Sequence, residues 1–290
     1  MNFIYHLLNG IHVGSIYALV ALGYSMVYGI VKLINFAHGD IIMVGAYVSW
    51  FVIASRGLPV WAGVLAAVVF CVLLGMTIEK IAYKPLRKSA RISLLITAIG
   101  VSLLLENLAQ KIFTSTPKTY PAFITGGVML GDRQIPATTF VAIGVAALLM
   151  VALTLFVGRT RIGKAMRAVS EDTEAAQLMG ININHTISVT FAIGSGLAAV
   201  AAVLYCNSYA QVYPTMGSML GLKAFVAAVL GGIGSLPGAA IGGLAIGVAE
   251  ALTKGYISSS LADAIVFGIL IITLLLKPTG ILGHTAAEKV

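Results

Sequence analysis

The sequence predicts an all-α fold: a polytopic helical membrane protein with eight or nine transmembrane segments, one or two of them broken or re-entrant. Apolar residues make up 59% of the 290 residues and charged residues only 10%, whereas soluble domains carry about 25% charged residues. The mean hydropathy is +1.00, and several apolar runs reach the ~20 residues that cross a bilayer as a helix. A transmembrane β-barrel would instead show short segments of alternating hydrophobicity. We therefore treat residues 1–290 as a single transmembrane domain.

Apolar runs set the order of the predicted spans. They lie at 8–31, 38–55, 58–81, 92–112, 137–157, 187–207, 221–232 with 237–252, and 261–277. The pair 221–252 is either one broken span or two short spans around the sequence GGIGSLPG. The count is therefore eight or nine.

Basic residues orient these spans, because cytoplasmic loops of membrane proteins carry an excess of Lys and Arg. Nine of the 18 basic residues fall in the loops 79–91 and 158–186: Lys80, Lys84, Arg87, Lys88, Arg91, Arg159, Arg161, Lys164 and Arg167. Both loops are therefore predicted to be cytoplasmic. The intervening loop 113–136 is then external, and its prolines and glycines are compatible with a short hairpin. The N-terminus is predicted outside and the C-terminus inside, which favours nine crossings.

The cytoplasmic loop 158–186 contains a polar stretch that is typical of a short helix. Ser170 is a plausible N-cap, acidic residues follow it in the first turn, and Gly180 suits the position just after a helix end. A helix over 171–179 would place Ala168, Ala175 and Met179 near one face. Such a helix could dock into a groove on another protein, or it could be an ordinary solvated loop helix.

Two further segments interrupt apolar runs with polar or flexible residues. The first, 30–40, contains Asn35, His38, Gly39 and Asp40. It is either an interfacial turn or part of a gate, because broken helices often line transporter cavities. The second, 231–243, contains Gly231, Gly232, Gly234, Ser235, Pro237 and Gly238, which cannot continue a regular helix without cost. We expect a broken or re-entrant segment near a pathway at 231–237, and close helix packing at the GxxxG spacings of 238–247.

The isolated polar residues in the apolar runs are expected to have structural roles. Glu106 is either hydrated near the outer end of its span or engaged in a buried polar contact, and Glu250 and Asp263 are expected at the membrane interface. Cys71 and Cys206 are expected to be packing residues, and the five histidines form no metal-ligand spacing. The net charge of +8 is attributed to topology, so no nucleic-acid partner is predicted.

The sequence does not predict an enzyme. It contains no nucleophile–base pair, no H-E-x-x-H and no G-x-S-x-G motif, and it lacks the Walker A pattern G-x-x-x-x-G-K-[ST]. If the process uses ATP, a separate subunit must bind it.

Three blocks carry a resemblance to a known family. Glu174–Ala175–Ala176 followed by Gly180 resembles the EAA–xxx–G loop with which ABC importer permeases dock into their ATPase. More specifically, RIGKAMRAVSEDTEAAQLMGININ, INFAHGDIIMVGAY at 34–47 and GGIGSLPGAAIGG at 231–243 resemble branched-chain amino acid permeases of the LivH type. The resemblance covers nearly the whole chain. One departure is that no proline follows Gly180 before Pro214, which argues against the maltose-type branch.

The resemblance implies a permease domain whose segment 163–180, within the cytoplasmic coupling loop 158–186, contacts an ATPase. The implied coupling residues are Gly163, Lys164, Arg167, Ala168, Glu174, Ala175, Met179 and Gly180. The implied partners are a LivM-type second permease, two cytoplasmic ABC ATPases that use ATP and Mg²⁺, an extracytoplasmic binding protein and the lipid of a bacterial inner membrane. This chain itself would bind no cofactor.

Branched-chain amino acids are the expected substrates, with urea, short amides or other small solutes as alternatives. A different class, an autonomous channel or secondary transporter, remains open at this stage. It would need no amphipathic cytoplasmic helix, and a coupled carrier usually has charges within the membrane.

Overall fold

The computed structural model describes residues 2–32, 35–87, 89–130 and 133–283. Within these ranges, eight helical segments are long and apolar enough to cross a bilayer, and a ninth, Met216–Gly231, is apolar but shorter. The all-α prediction is therefore confirmed. The helices are α1 (Asn2–Val31), α2 (His38–Trp50, continued by a π-helical turn to Ser55), α3 (Val60–Ile78, continued by π and 3-10 turns to Leu86), α4 (Arg91–Phe113), α5 (Ala137–Arg159), α6 (Arg161–Glu171), α7 (Thr173–Leu178), α8 (Ile183–Tyr209), α9 (Met216–Gly231), α10 (Leu236–Tyr256) and α11 (Ala262–Leu276).

The ambiguous region 221–252 consists of two helices, α9 and α10. The 16 residues of α9 extend about 24 Å at 1.5 Å per residue, which is less than the ~30 Å hydrocarbon core. The described part of the chain thus has eight helices of membrane-spanning length and one shorter apolar helix, and the nine crossings favoured by the charge pattern stay a prediction.

Short strands connect the loops at one end of the bundle. The predicted hairpin is present: β2 (Gly127–Leu130) pairs with β3 (Arg133–Pro136) in antiparallel register, with Val128 opposite Ile135. A second pair, β1 (Lys118–Thr119) with β4 (Gln211–Val212), joins the α4–α5 connection to the α8–α9 connection.

The two basic loops lie together at the other end, which we call the basic end. The Arg87 guanidinium donates to Asn184 Oδ1 at 2.8 Å and so joins the loop 79–91 to the loop 158–186. The prediction that both basic loops lie on the same side of the membrane requires them to share one end of the bundle, and they do. The cytoplasmic placement of this end stays a prediction from its charge.

Helix α1 lies at the centre of the bundle, in contact with α5, α6, α8, α9 and α10. It is nearly all buried from Val13 to Val27, whereas α4, α5 and α11 expose large apolar side chains such as Leu104, Leu148 and Leu275. An apolar helix exposed over most of its surface is suited to lipid, and a central helix is screened from it. The chain therefore surrounds α1 with a ring of helices that face outward.

Glycines let α1 approach its neighbours closely. In α10, Gly243 lies against Ala18 and Gly247 lies against the backbone of Gly14, while Gly242 lies against Ala227 of α9. The two consecutive GxxxG spacings, Gly238–Gly242 and Gly243–Gly247, thus face different helices, and the predicted close packing at 238–247 is confirmed. Without a hydrophobic driving force between helices in lipid, this backbone proximity supplies much of the attraction, through van der Waals contact.

Replacing Gly247 by Ala is expected to destabilise the protein by about 1–3 kcal/mol, because the new Cβ would overlap Gly14 and force α1 and α10 apart. Gly144→Ala is the matched control, since a Cβ there meets no atom within 4 Å. Thermal melting of both purified variants in detergent checks this. Equal melting temperatures for the two would contradict it.

Candidate functional site

The polar loop 158–186 folds as two short helices rather than one. The predicted single helix over 171–179 is wrong: α6 ends at Glu171, and α7 begins at Thr173. Asp172 separates them in an extended conformation, and its carboxylate accepts hydrogen bonds from the N–H groups of Glu174 and Ala175, each at 3.0 Å. Ser170 is not the N-cap, because it lies inside α6 and donates to the Arg167 carbonyl. An aspartate that accepts two N–H groups is a strong cap.

The predicted helix end at Gly180 is confirmed. Gly180 has φ +81°, its N–H donates to Gln177 O at 3.0 Å, and the Ile181 N–H donates to Ala176 O at 3.1 Å. These two bonds form a Schellman motif, in which glycine at the left-handed position ends the helix without strain. The segment that follows α7 is therefore fixed in direction.

One face of α6 and α7 is buried against the bundle. Gly163, Met166 and Val169 of α6 and Ala176 of α7 are buried, and α6 contacts α1, α5 and α8. A Cβ on Gly163 would overlap the carbonyl groups of Phe156 and Val157. Gly163 therefore allows the tight turn between α5 and α6, and it does not face outward.

The opposite face is exposed and ends in two apolar side chains. Leu178 is 89% exposed and Met179 is 83% exposed. The predicted shared face of Ala168, Ala175 and Met179 is wrong, because Ala168 lies on α6 and is partly buried, whereas the other two are exposed at α7. The remaining predicted coupling residues that lie exposed on this segment are Lys164, Arg167, Glu174 and Gly180.

The break between α1 and α2 buries polar groups. Asn35, His38 and Asp40 are each at most 3% exposed. Asn35 Oδ1 accepts from the Tyr83 hydroxyl at 2.7 Å, whereas Asn35 Nδ2, His38 Nε2 and Asp40 Oδ1 are buried without a partner. The interpretation of 30–40 as a plain interfacial turn is therefore not favoured for these residues, since unpaired buried polar groups are costly unless they have a role.

Helix α2 begins in close contact with α9. A Cβ on Gly39 would overlap the carbonyl of Gly217, and Gly221 lies equally close to Gly39. On α4, Ser102 and Glu106 lie beside Asp40. Glu106 is partly buried and accepts a hydrogen bond from the exposed Ser218 of α9, so it makes a polar contact, but this contact is exposed rather than buried.

The glycine-rich segment is a break between α9 and α10 beside the last turns of α1. Gly232 and Gly234 have φ +106° and +97°, and Gly231 and Gly238 are in backbone contact. Ser25 of α1 accepts from the Gly234 N–H at 2.9 Å and donates to Ser235 O at 3.3 Å. Ser235 in turn caps α10 by accepting from the Gly238 N–H, and Pro237 lies in its first turn, where no N–H is needed.

The sequence interpretation missed a buried charge cluster. Glu250 was expected at the interface, but it is 2% exposed and accepts from Tyr17 at 2.6 Å, Lys223 at 2.8 Å and Lys254 at 2.6 Å. Lys223 also pairs with the half-exposed Asp263 at 2.6 Å. The sequence did not indicate this burial, because two of the three hydrogen-bond partners of Glu250, Tyr17 and Lys223, belong to other helices. The i,i+4 spacing of Glu250 and Lys254, together with a lysine in the apolar run 221–232, was the available signal.

Replacing Glu250 alone is expected to destabilise the protein more than replacing Glu250 and Lys223 together. Glu250→Leu leaves the buried Lys223 with Asp263 as its one remaining carboxylate partner among the described residues and leaves the Tyr17 hydroxyl without its acceptor, and should cost about 2 kcal/mol. Adding Lys223→Met should recover part of this loss, because Lys254 and Asp263 are each more than 40% exposed and can reach solvent. Unfolding of the single and double variants in detergent measures the coupling, and strictly additive losses would argue against it.

The chain is similar to known membrane proteins over nearly its whole length. Residues 6–275 match the family model described as "Branched-chain amino acid transport system / permease component". The permease protein LivH of a high-affinity branched-chain amino acid transport system from Salmonella typhimurium is 45% identical, over 100% of this chain and 98% of its own. The corresponding protein BraD from Pseudomonas aeruginosa is 43% identical with the same coverage.

Among solved structures, PsaBC from Streptococcus pneumoniae in complex with Fab aligns with 96% of this chain and 91% of its own, at 16% identity and a TM-score of 0.45. The family model covers well over half of the chain, and the relatives match it over its full length. The chain is therefore a multi-pass membrane protein that belongs to the family of branched-chain amino acid transport system permease components.

Proposed function

We propose that this chain is the permease subunit of an ATP-driven importer of branched-chain amino acids, and that α6 and α7 couple it to a separate ATPase. Its sequence similarity to LivH and BraD over its whole length supports the substrate class. The single observation that carries the coupling role is the exposed apolar tip of α7. An unpartnered tip outside the membrane-scale helices suits a groove on another protein.

The packing of α6 supports a mechanical role for this segment. Its buried face touches the ends of α1, α5 and α8, so a force on α7 would reach three membrane helices through rigid contacts. The Asp172 cap and the Schellman motif at Gly180 fix both ends of α7. A rigid lever of this kind transmits displacement, whereas a solvated loop would absorb it.

Polar side chains within α4 and α9 support a pathway on that side of the bundle. Ser218 and Asn107 are exposed, Glu106 is partly exposed, and Asp40 lies behind them. Polar groups at such positions face protein or water more readily than lipid. We propose that this surface faces the translocation pathway between this chain and a LivM-type second permease, and that Asn35, His38 and Gly39 support its inner wall.

The remaining parts of the proposal follow from the family. Two cytoplasmic ATPases would bind ATP and Mg²⁺, an extracytoplasmic binding protein would deliver the substrate, and this chain would bind no cofactor. Urea, short amides or other small solutes are the second substrate candidate. An autonomous channel is disfavoured by the anchored, rigid form of α6 and α7, which a channel does not need.

Met179→Asp is expected to abolish ATPase binding and uptake, because it places a charge at the centre of the apolar tip. Met129→Asp on the β2–β3 hairpin is the matched control, since Met129 is 64% exposed and lies on a different surface. The measurements are co-purification of the ATPase and leucine uptake into proteoliposomes with the binding protein present. Full uptake by the Met179 variant, or by the purified chain without any ATPase, would overturn the proposal.

A further inference from the structure

A partly open cavity of about 350 Å³ lies at the basic end of the bundle. It is bordered by the end of α1, the start of α4, the start of α8 and the segment formed by α6 and α7. Its polar lining consists of Lys32, Arg87, Ser89 and Thr173, and isoleucine, valine and leucine side chains form the rest. Its volume is within the roughly 300–1,000 Å³ range of small-molecule sites.

Both cations of this cavity have unused donors. The Lys32 amine is exposed, and no described residue forms an ion pair or hydrogen bond with it. The Arg87 guanidinium binds Asn184 and Glu79 through its two terminal nitrogens, but its Nε is buried without a partner. Each terminal nitrogen carries a second N–H, and Arg87 lines the cavity, so its guanidinium can still donate to an anionic oxygen there.

The backbone of Lys32 has a strained conformation. Lys32 has φ +56°, a left-handed conformation that costs a non-glycine residue roughly 1–2 kcal/mol. Its N–H still donates to Tyr28 O at 2.8 Å, which closes the end of α1. Strained residues of this kind persist where their position has a use.

We propose that this cavity binds a small aliphatic carboxylate that lacks an ammonium group, such as a branched-chain 2-oxo acid. The carboxylate would accept from Lys32 Nζ and from a remaining terminal N–H of Arg87, and the apolar wall would cover the hydrocarbon part. Among the described lining residues there is no carboxylate, and Glu79 is already bound by Arg87 and Ser188. An ammonium group on the ligand would therefore meet the unpaired Lys32 amine and an Arg87 already paired with Glu79, with no free carboxylate among the described lining residues.

The occupant would touch the bundle and the coupling segment together. Val169 of α6 and Thr173 of α7 line the cavity opposite Ile183 and Ile187 of α8. Binding would therefore hold α6 and α7 against α8 and slow the ATPase. This regulatory consequence rests on the coupling function proposed above, whereas the binding itself does not.

Calorimetry on the purified chain in nanodiscs of zwitterionic lipid tests the binding. The probes are 4-methylpentanoate, which has the carboxylate alone, leucine, which has both charges, and leucinamide, which has only the ammonium. We expect 4-methylpentanoate to bind, leucine to bind more weakly and leucinamide not to bind. Equal binding of leucinamide, or no binding of 4-methylpentanoate, would overturn the proposal.

Variants of Lys32 connect the binding to this cavity. Lys32→Met should weaken 4-methylpentanoate binding about tenfold, as expected for loss of one charge-assisted hydrogen bond, and Lys32→Arg should retain it. Lys84→Met is the matched control, because Lys84 is exposed at the same end and does not line the cavity. An equal effect of Lys32→Met and Lys84→Met would refute the site.

A second arm distinguishes a lipid headgroup from the free carboxylate. If nanodiscs containing phosphatidylglycerol stabilise the chain in a Lys32-dependent way and prevent 4-methylpentanoate binding, the natural occupant is a lipid and the proposal fails. If binding is normal but 4-methylpentanoate leaves the ATPase rate of the assembled transporter unchanged, only the regulatory consequence fails. If Met179→Asp also leaves the ATPase bound, the failure lies in the proposed coupling function.

Discussion

The close approach of α1 to α10 is the constraint on which the rest of the structure depends. Gly14 and Gly247 place two backbones in direct contact where any side chain would separate them. The 30 residues of α1 are then surrounded by α10, α9, α8 and α5. Helix α1 is therefore the central axis of the bundle. Asn35, just before α2, and the break at 232–235 both lie next to this axis at the basic end.

This arrangement explains how a chain with few charges organises its polar groups. Charges that lie inside the bundle are either joined in a cluster, as Glu250 is with Lys223 and Lys254, or lie beside a break, as Asp40 does at the start of α2. The cluster ties α1, α9, α10 and α11 together. Of the three long helices that α6 contacts, α1 is therefore held in place by this cluster as well.

Periodicity and composition predicted most of the fold, because long apolar runs in a membrane chain admit one structure only. They also predicted the helix end at Gly180, since a left-handed position has a strong residue preference. They did not predict the division at Asp172, where two capping residues compete and tertiary packing of Val169 and Ala176 decides. The Glu250 cluster and the Lys32–Arg87 cavity combine residues far apart in sequence, and no local pattern reports such proximity.

The hydroxyl of Ser25 links α1 to the glycine-rich break. One oxygen accepts the Gly234 N–H and donates to the Ser235 carbonyl, so two peptide groups of the break bind a single side chain of another helix. Any rotation of α1 about its own axis would strip both groups of their partner at once. The rotational position of α1 is therefore coupled to the conformation of the glycine-rich break.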